Sequence, residues 1–321
     1  MRTVVTGGAG FIGSYLCERL LEMGHSVKVL DDLSTGSRKN LQNLGSYQNF
    51  EFIEGSILDT KLANTVLRGA NLCFHLAAGL GVQRILERPY ETLKTNLDGT
   101  ENVVKAAIEH GTKIFLASTS EVYGKADKQP LTEDSDRVLG SPSILRWAYS
   151  EAKAIDETLL EMFRESHGLR YVVGRFFNTV GPRQSGDYGM VLPRFVRAAI
   201  SNQPIRIFGD GSQSRVFAHV SDAVDGVLKV SSDVRAEGQA FNIGGEEEVT
   251  IRELAERVIG VTGSSSRIQY VSYQDAYPKG FEETMRRVPD TTKLRSLTGW
   301  KPKYKLNEII EDIQNYFRIE I

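Results

Sequence analysis

The sequence has little cysteine: Cys17 and Cys73 are the only two among 321 residues, and they lie far apart along the chain. Two distant cysteines form neither a CxxC motif nor the framework of several disulfides found in small secreted domains. This usage is typical of proteins from a reducing compartment, so we expect a cytoplasmic location.

Metal ligands and membrane-spanning runs are also lacking. The histidines have no HxxxH spacing and no cysteine partners close by: His25, His75, His110, His167 and His219. The pattern therefore predicts no metal site. No stretch approaches the ~18 apolar residues of a transmembrane helix, so no membrane partner is expected.

The chain has almost no net charge, since 39 basic and 41 acidic residues give −2 at pH 7. Proteins that bind the phosphate backbone of nucleic acids usually carry a basic excess, so no nucleic-acid partner is expected. Hydrophobic residues make up 40% and charged residues 25% of the sequence. These proportions are typical of a globular protein, and the length suggests about two domains.

What the sequence does contain is a regular alternation of short apolar runs and helical patterns. Strands are predicted at residues 3–6, 26–30, 50–53, 72–77, 113–117 and 171–175, and helices at 11–23, 90–109 and 149–165. Because strand and helix alternate, we expect an α/β protein with a Rossmann-type, doubly wound parallel sheet.

Beyond residue 178 the pattern loosens into shorter elements. Strands are predicted at 205–208, 240–243 and 268–271, and helices at 193–201, 221–230 and 251–261. We interpret this part as a smaller, interleaved C-terminal substrate-binding lobe. The expected division is 1–178 for the Rossmann domain and 179–321 for the lobe, with later residues contributing strands to the sheet.

A glycine-rich turn, TGGAGFIG at residues 6–13, lies between the first predicted strand and the first helix. Its glycines permit a tight turn in which backbone N–H groups at the helix N-terminus approach a pyrophosphate. Asp31 follows 18 residues after Gly13, close to the ~20 expected of a carboxylate that binds the adenosine ribose. A carboxylate there would repel a 2′-phosphate, so NAD is preferred, and Arg38 keeps NADP as an alternative.

Tyr149 and Lys153 are four residues apart in a predicted helix, so their side chains lie on one face, a single turn from each other. A phenol with an ordinary pKa of about 10 is a poor base, but an adjacent ammonium and a nicotinamide ring favour the phenolate. Lys153 is also expected to bind the nicotinamide ribose. Thr119 follows the end of the fifth predicted strand by two residues, where its hydroxyl would reach the same substrate oxygen.

Taken together, these segments resemble the extended short-chain dehydrogenase/reductase family that modifies nucleotide sugars. Further matching motifs cover essentially the whole chain: HLAA at 75–78, TN at 95–96, GT at 99–100, TSE at 119–121, FN at 177–178, GPR at 181–183, GDGSQxR at 209–215 and GWxP at 299–302. The resemblance implies a retained NAD that takes a hydride from sugar C4 and later returns it. It also implies a UDP-sugar substrate and a homodimer.

The resemblance assigns roles to individual residues. The catalytic set is Thr119, Ser120, Glu121, Tyr149, Lys153 and Arg287. The NAD contacts are Gly7, Gly10, Phe11, Ile12, Gly13, Asp31, Asp59, Ala77, Tyr149 and Lys153. The substrate contacts are Arg84, Asn178, Val191, Phe208, Arg215 and Arg287.

A C4 ketone acidifies C5 and turns a C6 carboxylate into a β-keto acid, so one oxidation opens three outcomes. They are 4-epimerisation, loss of CO2 to a pentose, and loss of water to a 4-keto-6-deoxy sugar. Glu121 and Arg287 resemble the residues that assist CO2 loss in UDP-glucuronate decarboxylases. A guanidinium suits this task because it pairs with an anionic C6 group and stabilises a developing enolate.

We therefore predict a UDP-glucuronate decarboxylase, with a 4-epimerase of UDP-glucose or UDP-glucuronate as the alternative. A sugar-nucleotide 4,6-dehydratase and a non-catalytic NAD-sensing protein are further alternatives. The decarboxylases have a tyrosine five positions before Tyr90, where this chain has Ile85 beside Arg84. Arg287 also matches an epimerase arginine that binds the UDP pyrophosphate.

Overall fold

A computed structural model describes residues 1–79, 88–184, 190–276 and 282–320. The strands in chain order are β1 (Arg2–Thr6), β2 (Ser26–Asp31), β3 (Phe50–Glu54), β4 (Leu72–His75), β5 (Lys113–Thr119), β6 (Tyr171–Phe176), β7 (Thr179–Val180), β8 (Ile205–Phe208), β9 (Ser214–Val216), β10 (Ala218–His219), β11 (Gln239–Ile243), β12 (Glu248–Thr250), β13 (Ile268–Val271) and β14 (Arg286–Arg287). The helices are α1 (Phe11–Glu22), α2 (Thr60–Leu67), α3 (Pro89–His110), α4 (Ala148–His167), α5 (Val191–Ile200), α6 (Val220–Ser232), α7 (Ile251–Thr262), α8 (Tyr273–Ala276), α9 (Thr292–Thr298) and α10 (Leu306–Glu320). None of these helices is both long and apolar enough to cross a membrane.

Seven of the described strands form one parallel sheet, in the order β11-β6-β5-β4-β1-β2-β3. The direction of strand addition reverses between β1 and β4, which opens a crevice at the carboxyl edge of the sheet. The predicted fold class is confirmed. Residues 240–243 were predicted among the elements after 178, and Gln239–Ile243 pairs with β6 as the edge strand of this sheet. The boundary at 178 stays a prediction.

Successive residues of the central strands pack on opposite faces of the sheet, as the two-residue strand period requires. Val5 belongs to a buried cluster with Leu16 of α1 and Val224 of α6. Its neighbour Val4 belongs to a different cluster, with Val103 of α3. Because helices cover both faces, the carboxyl edge of the sheet is where a ligand can reach the strand ends.

A third hydrophobic core lies in the C-terminal part, where α5, α7 and α10 pack near β8. Its buried members include Phe195 of α5, Leu254 of α7 and Ile310 of α10. β8 pairs in parallel with β13, and β9 lies between β12 and β14. This core supports the far wall of the crevice, opposite the sheet.

Candidate active site

A cavity of about 460 Å³ lies at the carboxyl edge of the main sheet, between the strand ends and the C-terminal core. The predicted site residues that line it are Gly7, Gly10, Phe11, Ile12, Gly13, Asp31, Ala77, Thr119, Ser120, Glu121, Tyr149, Asn178, Val191, Phe208, Arg215 and Arg287. Asp59 and Lys153 are not part of this wall. Arg84 and its neighbour Ile85 lie outside the described residues.

The glycine turn leaves the space that a pyrophosphate needs. Gly7 has a φ of +74°, and a Cβ there would lie 2.6 Å from the Ala77 backbone nitrogen. A Cβ on Gly13 would lie 2.2 Å from the Gly7 carbonyl oxygen, so α1 can approach β1 this closely only with glycine. Helix α1 begins after Gly10 with no side-chain cap, and Phe11 lines the cavity. The open helix N-terminus fits a dinucleotide pyrophosphate.

Asp31 is the last residue of β2, where the adenosine half of the cofactor is expected to bind. Its carboxylate oxygens accept hydrogen bonds from the backbone N–H groups of Ala9 at 2.9 Å and Leu33 at 2.8 Å. Burial raises the pKa of Asp31, and these two hydrogen bonds oppose the rise. Each oxygen keeps a lone pair for a ribose hydroxyl. Arg38, which favoured the NADP alternative, forms an ion pair with Glu54.

Asp59 caps helix α2, because its carboxylate accepts a hydrogen bond from the Leu62 backbone N–H at 3.0 Å. The adenine contact implied for Asp59 stays a prediction. Gly55 and Ile57, which the sequence did not single out, line the cavity nearby.

Tyr149 enters the cavity from the first turn of α4 and is 7% exposed. Next to it, the Ser150 hydroxyl donates a hydrogen bond of 2.6 Å to the Glu121 carbonyl, which ties α4 to the end of β5. The Thr119 hydroxyl oxygen accepts from the Glu121 backbone N–H at 3.2 Å. Burial raises the pKa of Tyr149, and the carboxylates of Glu121 and Asp156 raise it further. The phenol therefore needs nearby positive charge to act as a base.

Lys153 lies one turn after Tyr149, and its ammonium is 3.3 Å from an Asp156 carboxylate oxygen. Both side chains of this pair are almost fully buried, at 2% and 0% exposure. The sequence predicts that Lys153 favours the phenolate. The structure adds a buried counter-ion that offsets this positive charge.

Glu121 lies between two guanidinium groups at the end of β5. Arg287 Nη1 is 3.2 Å from one carboxylate oxygen, and Arg146 Nη1 is 3.4 Å from the other. Burial alone would raise the pKa of Glu121, but the two arginines outweigh burial and hold the pKa below its ordinary value. Glu121 is therefore an ionised group in the same wall as Tyr149.

Arg215 reaches the same cluster through Glu283, whose carboxylate lies 2.9 Å from Arg215 Nη2 and 3.6 Å from Arg146 Nη2. Burial, followed by repulsion from Arg287, lowers the pKa of Arg215 to about 10, so it stays charged at neutral pH. The cluster holds three guanidinium groups and two carboxylates, which leaves one positive charge for an anion.

Three predicted substrate contacts lie on the side of the cavity that faces the C-terminal core. The Asn178 amide donates a hydrogen bond of 2.9 Å to the Val216 carbonyl. Val191 begins α5, and Phe208 ends β8 with the Arg194 guanidinium 4.2 Å from its ring centroid. An aromatic ring beside a cation provides a surface for a nucleobase and its phosphates.

Arg146, Glu283 and Asp156 belong to the site, although the sequence assigned them no role. Arg146 precedes Tyr149 by three residues, and helical spacing after Lys153 could also have identified Asp156. No motif near Glu283 predicts its role, because its partner Arg215 lies 68 residues away in the sequence. Among the described residues, no group of three or more His, Cys, Asp or Glu is placed to hold a metal ion.

The sequence as a whole matches a known protein family. The pattern of the family described as GDP-mannose 4,6 dehydratase matches residues 4–313. This chain belongs to that family. The family is part of the extended short-chain dehydrogenase/reductases, so the resemblance seen in the motifs is confirmed, as is the prediction of an enzyme.

The relatives of this family member include decarboxylases, 4-epimerases and 4,6-dehydratases of nucleotide sugars. A UDP-N-acetyl-α-D-glucosaminuronate decarboxylase of Bacillus cytotoxicus is 40% identical over 318 residues, which are 99% of this chain and 98% of that protein. UDP-glucuronic acid decarboxylase 1 of Danio rerio is 33% identical over 321 residues, covering 100% of this chain and 73% of that protein. A UDP-glucuronic acid 4-epimerase of Bacillus cereus, solved with UDP-glucuronic acid and NAD, is 27% identical with a TM-score of 0.90 over both full chains.

The bound NAD in that epimerase structure confirms the predicted cofactor for the family. In this chain, the cradle at Gly7 and Gly13, the open N-terminus of α1 and the Asp31 carboxylate fit that cofactor. The nucleotide-sugar enzyme class predicted from the sequence is confirmed as well.

Proposed function

We propose that this protein is an NAD-dependent decarboxylase of a UDP-linked hexuronate, which it first oxidises at sugar C4. The observation that carries the proposal is the ionised Glu121 between Arg146 and Arg287, in the wall that also holds Tyr149. Buried charges are costly unless they are well compensated. The Arg287 guanidinium in this wall suits the C6 carboxylate of a uronate, whereas the C6 hydroxyl of UDP-glucose is neutral.

The residues of the site would divide the chemistry as follows. Bound NAD supplies the acceptor and later the donor of the C4 hydrogen. Tyr149, as phenolate, removes the O4 proton while the Thr119 hydroxyl holds that oxygen. The C4 ketone lies β to the carboxylate, so the C5–C6 bond breaks, CO2 leaves and its electron pair forms a C4–C5 enolate. Arg287 stabilises the enolate, C5 takes a proton from water, and Tyr149 returns the O4 proton when C4 is reduced.

Other residues of the site would hold the uronate carboxylate, the UDP pyrophosphate and NAD. Ser120 lies beside Glu121 in the cavity wall and would help to hold the uronate carboxylate. Arg215 would bind the UDP pyrophosphate after exchanging its Glu283 partner for phosphate oxygens. The glycine turn, Asp31 and Ala77 would bind NAD, with Lys153 on the nicotinamide ribose.

The proposal specifies a class of substrate, the UDP-hexuronates, and not one particular sugar. The Bacillus cytotoxicus relative is named for UDP-N-acetylglucosaminuronate, and the Danio rerio relative for UDP-glucuronate. Both are UDP-hexuronates with the same C4 hydroxyl and C6 carboxylate, and the cluster around Glu121 recognises the part they share. The higher identity makes the N-acetylated sugar the first substrate to test.

The second candidate is 4-epimerisation of UDP-glucuronate, which the likeness to the Bacillus cereus epimerase favours. An epimerase would bind the same C6 carboxylate but must keep the C5–C6 bond intact. The two reactions therefore differ in one measurable product, CO2.

The test is to incubate the purified protein with UDP-N-acetylglucosaminuronate, UDP-glucuronate and UDP-glucose, and to measure released CO2 and the products by NMR. We expect CO2 and a UDP-pentose from one of the uronates and no turnover of UDP-glucose. Tyr149→Phe should lower the rate by about 1,000-fold, whereas the exposed Tyr270→Phe should not. Conversion of UDP-glucuronate to its C4 epimer without CO2 would replace the proposal by the second candidate.

We also infer a cytoplasmic homodimer. Tyr90 on α3 and Ile155 and Met162 on α4 are apolar side chains with exposures of 74%, 51% and 60%. Pairing of these helices with those of a second copy would cover them. Cys17 and Cys73 are both buried free thiols, which supports a reducing compartment. Light scattering of the wild type and of Ile155→Glu tests the dimer.

A further inference from the structure

Asp156 is a fully buried acid on the catalytic helix that the proposed chemistry does not use. It follows Lys153 by three residues, so the two side chains lie on the same face of α4. Its exposure is 0%, and its nearer oxygen is 3.3 Å from the Lys153 ammonium. A buried carboxylate this close to a catalytic lysine needs a reason, because burying an ion pair is costly.

A series of buried, hydrogen-bonded side chains lies beside Asp156. Thr100 of α3 is near enough to Asp156 for its hydroxyl to oppose the rise in the Asp156 pKa, but neither carboxylate oxygen accepts a hydrogen bond from a residue that the structure describes. Thr100 Oγ1 is 3.1 Å from His75 Nε2, and His75 Nδ1 is 2.7 Å from Thr6 Oγ1. Thr6 ends β1 and also accepts a hydrogen bond from the Ala77 backbone N–H at 3.3 Å. These hydrogen bonds thus join α3, beside Asp156, to the strand that leads into the glycine turn.

The charges around Asp156 single out Lys153 as its partner. Burial, with repulsion from Lys153, lowers the pKa of His75 to about 3, so the imidazole is neutral at neutral pH. Glu157, the next acid on α4, is held by both nitrogens of the Arg175 fork. Burial raises the pKa of Asp156 to about 6, and Lys153 and the Thr100 hydroxyl oppose the rise. At neutral pH this leaves one buried anion beside one buried cation.

We propose that Asp156 is a positioning residue that anchors the Lys153 ammonium and, as its counter-ion, offsets the positive charge that Lys153 presents to Tyr149. Without Asp156, the buried Lys153 ammonium would lose the carboxylate with which it pairs. The carboxylate fixes where the ammonium meets the cofactor ribose. The negative charge of Asp156 also offsets the positive charge of Lys153, so the Tyr149 phenol stays protonated to a higher pH. The proposal rests on the Tyr149 and Lys153 roles of the proposed function, but not on decarboxylation.

Two variants separate the charge of Asp156 from its hydrogen-bonding capacity. Asp156→Asn removes the charge and keeps an oxygen that can accept from Lys153. The Tyr149 phenol should then ionise about 1 pH unit lower. Asp156→Leu removes the acceptor as well, so Lys153 is no longer anchored and NAD should bind about tenfold more weakly. Glu165→Gln, an exposed acid on the same helix, is the control and should change neither quantity.

The readouts do not depend on the sugar product. Ionisation of Tyr149 is followed in the NAD-loaded protein as the tyrosinate absorbance that Tyr149→Phe lacks, and NAD affinity is measured by calorimetry. A titration of Asp156→Asn that coincides with the wild type overturns the proposal. Wild-type NAD affinity in a folded Asp156→Leu overturns the anchoring role. If Asp156→Leu does not fold, the Asp156→Asn titration decides alone. Failure to release CO2 would affect only the proposed function.

Discussion

Arg287 and Glu121 are 166 residues apart in the sequence, and their side chains meet at 3.2 Å in the wall of the cavity. Glu121 follows the end of β5, and Arg287 belongs to β14 in the C-terminal part. Their contact joins the carboxyl edge of the sheet to the C-terminal region that faces it. Together with Arg146, the Arg287 contact holds the pKa of Glu121 below its ordinary value, so this carboxylate stays ionised in the wall that Tyr149 also lines.

Replacing Arg287 should block the reaction after oxidation. In Arg287→Met the enolate loses the cation proposed to stabilise it, so CO2 release should fall by about 100-fold while the C4 hydrogen is still removed. NADH absorbance should therefore build up on addition of the uronate. The neighbouring Arg286→Met is the matched control, because Arg286 is exposed and pairs with Glu248 at 2.8 Å. Equal CO2 release by both variants would rule out the role of Arg287.

Replacing Arg146 should shift the pH dependence of the reaction. Arg146 is one of two guanidinium groups that hold the pKa of Glu121 down. In Arg146→Met the pKa of Glu121 rises, so the carboxylate becomes protonated at a higher pH than in the wild type. The acid limb of the CO2-release profile should therefore move to higher pH by about 1 unit. Arg286→Met should keep the wild-type profile, and an unmoved limb in Arg146→Met would contradict the prediction.

Replacing Asp31 should weaken the preference for NAD. Asp31→Ser removes the negative charge that repels a 2′-phosphate and shortens the group that reaches the ribose. We expect NAD affinity to fall by about tenfold and NADP affinity to rise, both measured by calorimetry. Glu51→Gln, an exposed acid on β3 that pairs with Lys28, should leave both affinities unchanged. Unaltered discrimination in Asp31→Ser would show that another group selects the cofactor.

Adding a methyl group at Gly13 should disrupt the glycine turn. A Cβ there would lie 2.2 Å from the Gly7 carbonyl oxygen, so β1 and α1 must separate. Gly13→Ala should lower the free energy of unfolding by about 2 kcal/mol and reduce NAD binding. The control is Gly45→Ala, because a Cβ at Gly45 meets nothing within 4 Å. Urea unfolding of both variants gives the comparison, and equal stabilities would refute the steric argument.

Some features that we did not predict could have been recognised from the spacing of nearby residues in the sequence. Helix α10 had no predicted counterpart, yet its buried apolar residues recur at helical spacing: Leu306, Ile309, Ile310, Ile313 and Phe317. Asp156 likewise stands at helical spacing from Lys153, but the pattern alone does not distinguish a buried partner from a solvated acid. Burial is a property of what packs against the helix, in this case α3 and β5.

The sequence by itself determined the strand–turn–helix order, the glycine turn before α1, the position of Asp31 and the pairing of Tyr149 with Lys153 on one helix face. These features depend on backbone sterics and on the periods of strand and helix, which act over a few residues. Only the tertiary structure decided that Arg146, Arg215, Arg287, Glu121 and Glu283 form one charged cluster. Their segments are distant in the chain, and the packing of the C-terminal part against the carboxyl edge of the sheet brings them together. Electrostatic interactions depend on distance in space and on burial, and neither can be read from spacing along the chain.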